Sequence, residues 1–148
     1  MKNILIVTLM ISVSLIGCGQ YSPKPKNLPL LIPCTLTITQ ENKPLAGAFV
    51  MFEPADEATG TAYMGGGVTD ANGCAKITTS SFPGVRTGKF KVTVTKGESP
   101  APGEMWSFVE ALYTSGATTP HVLEVTGKEK QVIKTFDVGK AIREKVAY

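Results

Sequence analysis

The sequence predicts an all-β protein, an antiparallel β-sandwich of about seven strands. Three observations predict it: apolar residues alternate with Thr and Lys at period two, turn residues fall between these runs, and Gly (15) and Pro (10) are frequent in 148 residues. Such a composition suits short strands and tight turns better than packed helices. At this length one domain buries an adequate core without a metal or a dense set of disulfides. The formal net charge of +3 is mild. Lys and Arg gather into no stripe, which argues against a nucleic-acid partner.

The first strand spans residues 34–39, where Leu36 and Ile38 alternate with Thr35, Thr37 and Thr39. Turn residues at 40–44 (QENKP) predict a hairpin to a second strand, in which Ala48, Val50 and Phe52 share a face and which stops at Pro54. Residues 55–67 form a Gly-rich loop, and a strand starts near 66–69. Gly65 to Gly67 lack the Lys-Ser/Thr of a phosphate loop and read as a bulge or strand entry. Ala75 and Ile77 alternate with Lys76 and Thr78 in the next strand. The clearest strand is 89–96 (KFKVTVTK), with Phe90, Val92 and Val94 on one side, a pattern written by a sheet wet on one face. Residues 98–104 are a loop, and 106–113 are an irregular strand or a short helical turn. Residues 121–126 and 131–138 are expected to close the fold as a hairpin around Gly127-Lys128, and 141–146 to form a helical turn or fray.

The N-terminus reads as an address. Lys2 supplies a positive start, and residues 4–16 are an uncharged, largely apolar run. Thirteen residues are too few to span a bilayer but fit the core of a secretory signal. Leu15-Ile16-Gly17-Cys18 resembles the lipobox of bacterial lipoproteins. That resemblance implies cleavage after residue 17, lipidation of Cys18 and attachment to a membrane through the lipid. Residues 18–33 hold the lipidated Cys and a tether rich in Pro, residues 34–139 the sandwich, and 140–148 a tail. Gly19 stands where an inner-membrane retention Asp would be, so the outer membrane is expected ahead of the inner.

The motifs NKPLAGAFVMFEP, GGVTDANGCAKITT and PGVRTGKFKVTVTK, with the closing LYTSGATTPHVLEVTGKEKQVIKTFDV, resemble the transthyretin-like or carboxypeptidase-regulatory-like β-sandwich family. The nearest pattern is that of small planctomycete-type lipoproteins. The resemblance covers about residues 35–138 and consists of turn grammar. It implies a periplasmic or surface accessory domain, bears no catalytic residues to carry over, and departs from the pattern at Cys74.

Candidate chemistry is sparse. Asp70, Asn72 and Gly73 have the start of a calcium loop, but residues 74–81 contain no carboxylate; the other reading is a turn in which Asp70 accepts backbone N–H bonds and Asn72-Gly73 tolerate positive φ. Cys34 and Cys74 are the thiols left in an exported chain once Cys18 is acylated. Paired, they would close a loop of about 40 residues and contribute about 4 kcal/mol; unpaired, they are two separately buried cysteines. The single His121 has no visible Asp or Asn partner, and no spacing of ligands suits zinc. The purine-pathway hydrolases and intradiol dioxygenases built on similar sandwiches need several His, so no catalytic residue, metal or cofactor is expected. Tyr63, Trp106 and Tyr113 are candidates for a binding patch toward an envelope protein or a glycan, although a lone Trp in a sandwich is more often core. The sequence thus reads as a lipid-anchored, non-catalytic accessory or structural module of the bacterial envelope. The alternatives are a carbohydrate- or peptide-binding lipoprotein and, behind it, a hydrolase.

Overall fold

A computed structural model describes residues 23–146; Cys18 and the signal sequence lie outside them. Among the described residues are thirteen strands and one 3-10 turn, and no helix long and apolar enough to cross a membrane. The strands form a β-sandwich with a small third sheet beside it.

The first layer is built on β1 (Cys34–Gln40), which turns into β2 (Lys43–Pro44) and also pairs with β5 (Cys74–Lys76) and β12 (Val132–Asp137). The second layer runs β11 (Val122–Val125), β8 (Gly88–Thr95), β3 (Phe49–Pro54), β4 (Gly65–Val68), β6 (Thr78–Thr79) and β7 (Phe82–Pro83). Period-two alternation explains both inner faces. β1 buries Cys34, Leu36 and Ile38; β3 buries Val50 and Phe52; β8 buries Phe90, Val92 and Val94. Phe52 and Phe90 meet at the centre, ring centroids 5.4 Å apart. The third sheet, β9 (Gly97–Glu98), β10 (Met105–Ser107) and β13 (Glu144–Val146), contains no buried residue.

The pairings differ from expectation in three places. The first is the hairpin of residues 34–39 with 48–52. Only Thr39 and Gln40 pair across the turn, with Pro44 and Lys43, and Glu41 and Asn42 turn the chain at φ 52° and 63°. The chain then crosses to the other layer, where β3 pairs with β4 and β8. The second is the closing hairpin. β11 pairs with β8, but β12 lies parallel to β1, Cys34 opposite Val132. Alternation reports which face a strand buries and not which strand lies beside it, and strands of two facing layers bury their faces alike. The third is the tail: residues 144–146 are a strand, not a helical turn. The sandwich also begins inside the expected tether, because Ile32 is buried and bridges Val85 in both directions at 2.8 and 2.9 Å.

The strand at residues 74–79 passes from one layer to the other. Its first half pairs with β1 and its second with β4, with Ile77 buried at the switch. The glycines of β4 permit this: a Cβ on Gly67 would lie 2.8 Å from the Lys76 carbonyl oxygen, a separation that atoms do not tolerate.

Candidate functional site

Asp70, Asn72 and Gly73 form a corner. One carboxylate oxygen of Asp70 accepts the amides of Asn72 at 2.8 Å and Cys74 at 3.0 Å, and the Asp70 amide bonds the Cys74 carbonyl. Gly73 alone of the three takes positive φ, 74°, and a Cβ there would lie 2.6 Å from the Ile38 carbonyl oxygen. The adjacent Thr69, which the sequence does not single out, is 4% exposed; its hydroxyl donates to Leu45 O at 2.6 Å and accepts the Ala48 amide at 2.8 Å. It thereby fixes the crossing of residues 45–48. Asp70 Oδ1 and the Thr69 hydroxyl are thus engaged by backbone partners of the corner.

Cys34 and Cys74 are both free, so the expected bridge is not formed. They do sit on paired strands. Cys74 faces Thr37, however, whereas Cys34 lies three residues further along β1, at the level of Ile77. An offset of three residues separates them by about 10 Å and puts their side chains on opposite faces of the sheet, beyond the 3.5–4.5 Å Cβ separation a disulfide requires. Burial pushes the Cys34 thiol up to about 12, so it does not supply a thiolate.

His121 is held in place rather than presented. Its ring lies between Tyr113 and Phe136, centroids 5.2 and 4.7 Å away, and Nε2–H donates to the Asp137 carbonyl at 2.9 Å. Burial lowers its pKa, partly opposed by that bond and by the Asp137 charge. The Asp137 carboxylate takes the Thr39 hydroxyl at 2.7 Å and the amides of Asn42 and Gly139. Burial disfavours its charge, but these bonds and His121 outweigh that and pull its pKa below the ordinary value. Among the described residues no three His, Cys, Asp or Glu side chains are grouped to hold a metal.

Tyr63, Trp106 and Tyr113 do not form one patch. Tyr63, at φ 55°, belongs to a loop pinned to the start of β8: Arg86 donates to the carbonyls of Thr59, Gly60 and Ala62 at 2.6 to 2.9 Å. Arg86 also lies 5.3 Å over the Phe90 ring. Tyr113 packs on the core beside His121. Trp106 is half-buried on β10, at the other end of β8. Eight residues of β8 span about 25 Å. Loop carbonyls that gather around a guanidinium leave no trace in sequence, and Arg86 was invisible for that reason.

What Trp106 does line is a groove of about 570 Å³, between the end of β8 and the third sheet. Its walls include Phe49, Met105, Val109, Ala111 and Val146, with Lys96 and Glu144 among the polar residues. Its volume lies within the range of ligand-binding clefts. Outside it, Phe49 (57% exposed) and Met51 (61%) continue an apolar strip along the outer face of β3, with Val68 across from Phe49. The strip and groove are contiguous through Phe49. The described N-terminal segment joins the fold at Ile32–Val85, beside the opposite end of β8.

No protein-family model matches the chain, so the transthyretin-like resemblance rests on its motifs, and no curated protein matches it. Among solved structures it is similar to the major pilin subunit of Bacillus cereus, at 16% identity over 74% of this chain and 30% of the pilin, TM-score 0.47. It is also similar to a 9R-lipoxygenase from Cyanothece, at 18% identity over 73% of this chain and 16% of the enzyme, TM-score 0.43. The chain thus spans less than a third of the length of either, and at these identities and TM-scores nothing is carried over from them. The chain is an all-β sandwich with an apolar groove at one end.

Proposed function

We propose that this protein is a lipid-tethered, non-catalytic accessory module of the bacterial envelope that docks an apolar segment of a partner protein in the Trp106 groove. The observation that carries this reading is the placement of the groove, one strand length from the segment that joins the sandwich at Ile32. In this reading the tether from Cys18 reaches the sandwich at the end away from the groove, which leaves the groove open to a partner. The outer membrane is favoured over the inner by Gly19. A binding role without catalysis is supported by the fixed ring of His121 and the protonated Cys34 thiol. A protein segment is favoured over a glycan because the groove walls are largely apolar, Phe49, Met105, Val109, Ala111 and Val146 among them.

A photo-crosslinking residue at Phe49, in intact envelopes, is expected to capture a discrete partner band that disappears with Trp106→Ala, while the same probe at Ile133 captures none. Equal capture at both positions, or none at Phe49, overturns the docking reading. Labelled palmitate is expected on the wild type and not on Cys18→Ser; equal labelling removes the tether.

A further inference from the structure

The strand that walls the groove sits on its neighbour as a ligand would. β13 is three exposed residues, paired through Met105 with Val146, Trp106 with Lys145 and Ser107 with Glu144. Side chains alternate faces along a strand, so Trp106 shares its face with Glu98 on one side and Lys145 on the other. Glu104 takes Lys145 Nζ at 2.8 Å, and Arg143, two residues before Lys145, places its guanidinium over the Trp106 ring. This face therefore offers an aromatic ring and two carboxylates to two cations spaced i, i+2. Val146 falls on the other face, among the groove residues.

The hold is light. The ion pair is exposed at both partners, 54% and 38%, so solvent screens it, and short exposed strands open at low cost. Residues 139–143 belong to no strand, and Gly139 has φ 72°.

We propose that the edge of β10 now occupied by β13, with the Trp106, Glu98 and Glu104 face, is an acceptor for an extended peptide of pattern basic–x–basic–apolar, and that residues 143–146 are an internal stand-in which such a strand displaces. The incoming strand forms main-chain bonds along β10, sets one cation on Trp106 and another on Glu104, and points its apolar residue into the groove. The two carboxylates, Glu98 and Glu104, select a basic segment. The tethered stand-in competes at high effective concentration, so the intact chain binds weakly until β13 leaves. This deepens the docking reading and rests on it.

Trp106 is the single Trp of the chain and its own reporter. The peptide AIREKVAY, the sequence of residues 141–148, is titrated into the full chain, into Lys145→Glu/Val146→Asp, and into the milder Arg143→Ala/Lys145→Ala. Both variants are expected to bind it at least about tenfold more tightly than the wild type, with a shift in Trp106 emission, and the same peptide with Glu at both basic positions is expected not to bind. Equal affinity of wild type and variants, equal affinity for both peptides, or no emission response overturns the proposal. If the Phe49 crosslink persists while these titrations fail, the displacement inference falls and docking stands; loss of the crosslink removes docking first.

Discussion

β8 and β13 stand at opposite extremes of this molecule. β8 is bonded on both sides, by β11 and β3, and three of its side chains are wholly buried. β13 is bonded on one side, buries nothing, and rests on an exposed ion pair and a cation over a ring. Both take part in the groove, β8 by its last residue, Thr95, and β13 by all three. The difference teaches that the groove has one fixed wall and one removable wall. Stability resides in the first, and partner choice is assigned to the second.

Breaking the fixed wall has the largest effect. Phe90→Ala removes a fully buried ring that packs at a tilt against Phe52 and is expected to cost about 3–5 kcal/mol, read as a lowered urea midpoint. Next is the corner. Gly73→Ala adds a Cβ at φ 74° against the Ile38 carbonyl and is expected to cost about 1–3 kcal/mol, whereas Arg143→Ala/Lys145→Ala on the removable wall is expected to change stability by less than about 1 kcal/mol. If the corner and the removable wall proved equally costly, the contrast between the two regions would disappear.

The smallest effect is that of pH. The His121 pKa is depressed in the fold, so the unfolded chain takes up the proton first, near its ordinary value of about 6.5. Stability is therefore full above that value and declines as pH falls through it toward the lower folded value. Asp137, also depressed, adds a further decline below about pH 4. Melting temperatures are expected to fall between pH 8 and 5.5 in the wild type and to stay flat across that range in His121→Gln. A slope retained in the variant would assign the effect to other groups.

Much of the fixed wall was legible in the sequence. The alternation of residues 89–96 named the buried face of β8, and Asp70-Ala71-Asn72-Gly73 announced its corner, because turn chemistry is local. Partners were not legible. Cys34 and Cys74 were placed on neighbouring strands but three residues out of register, and the parallel pairing of β12 with β1 has no local signature. Trp106 could be singled out as an aromatic, yet the groove exists only because residues 97, 106 and 145 meet from distant parts of the chain. β13 was missed because Glu-Lys-Val, exposed throughout, carries no period.

Native-state hydrogen exchange on the full chain tests the contrast most directly, since it reads both walls in one sample. The account predicts that the amides of Val92 and Val94 exchange only through global unfolding, while those of residues 144–146 exchange at least about a hundredfold faster, and faster still when AIREKVAY is added and displaces the strand. Equal protection of β8 and β13, unchanged by the peptide, would contradict it.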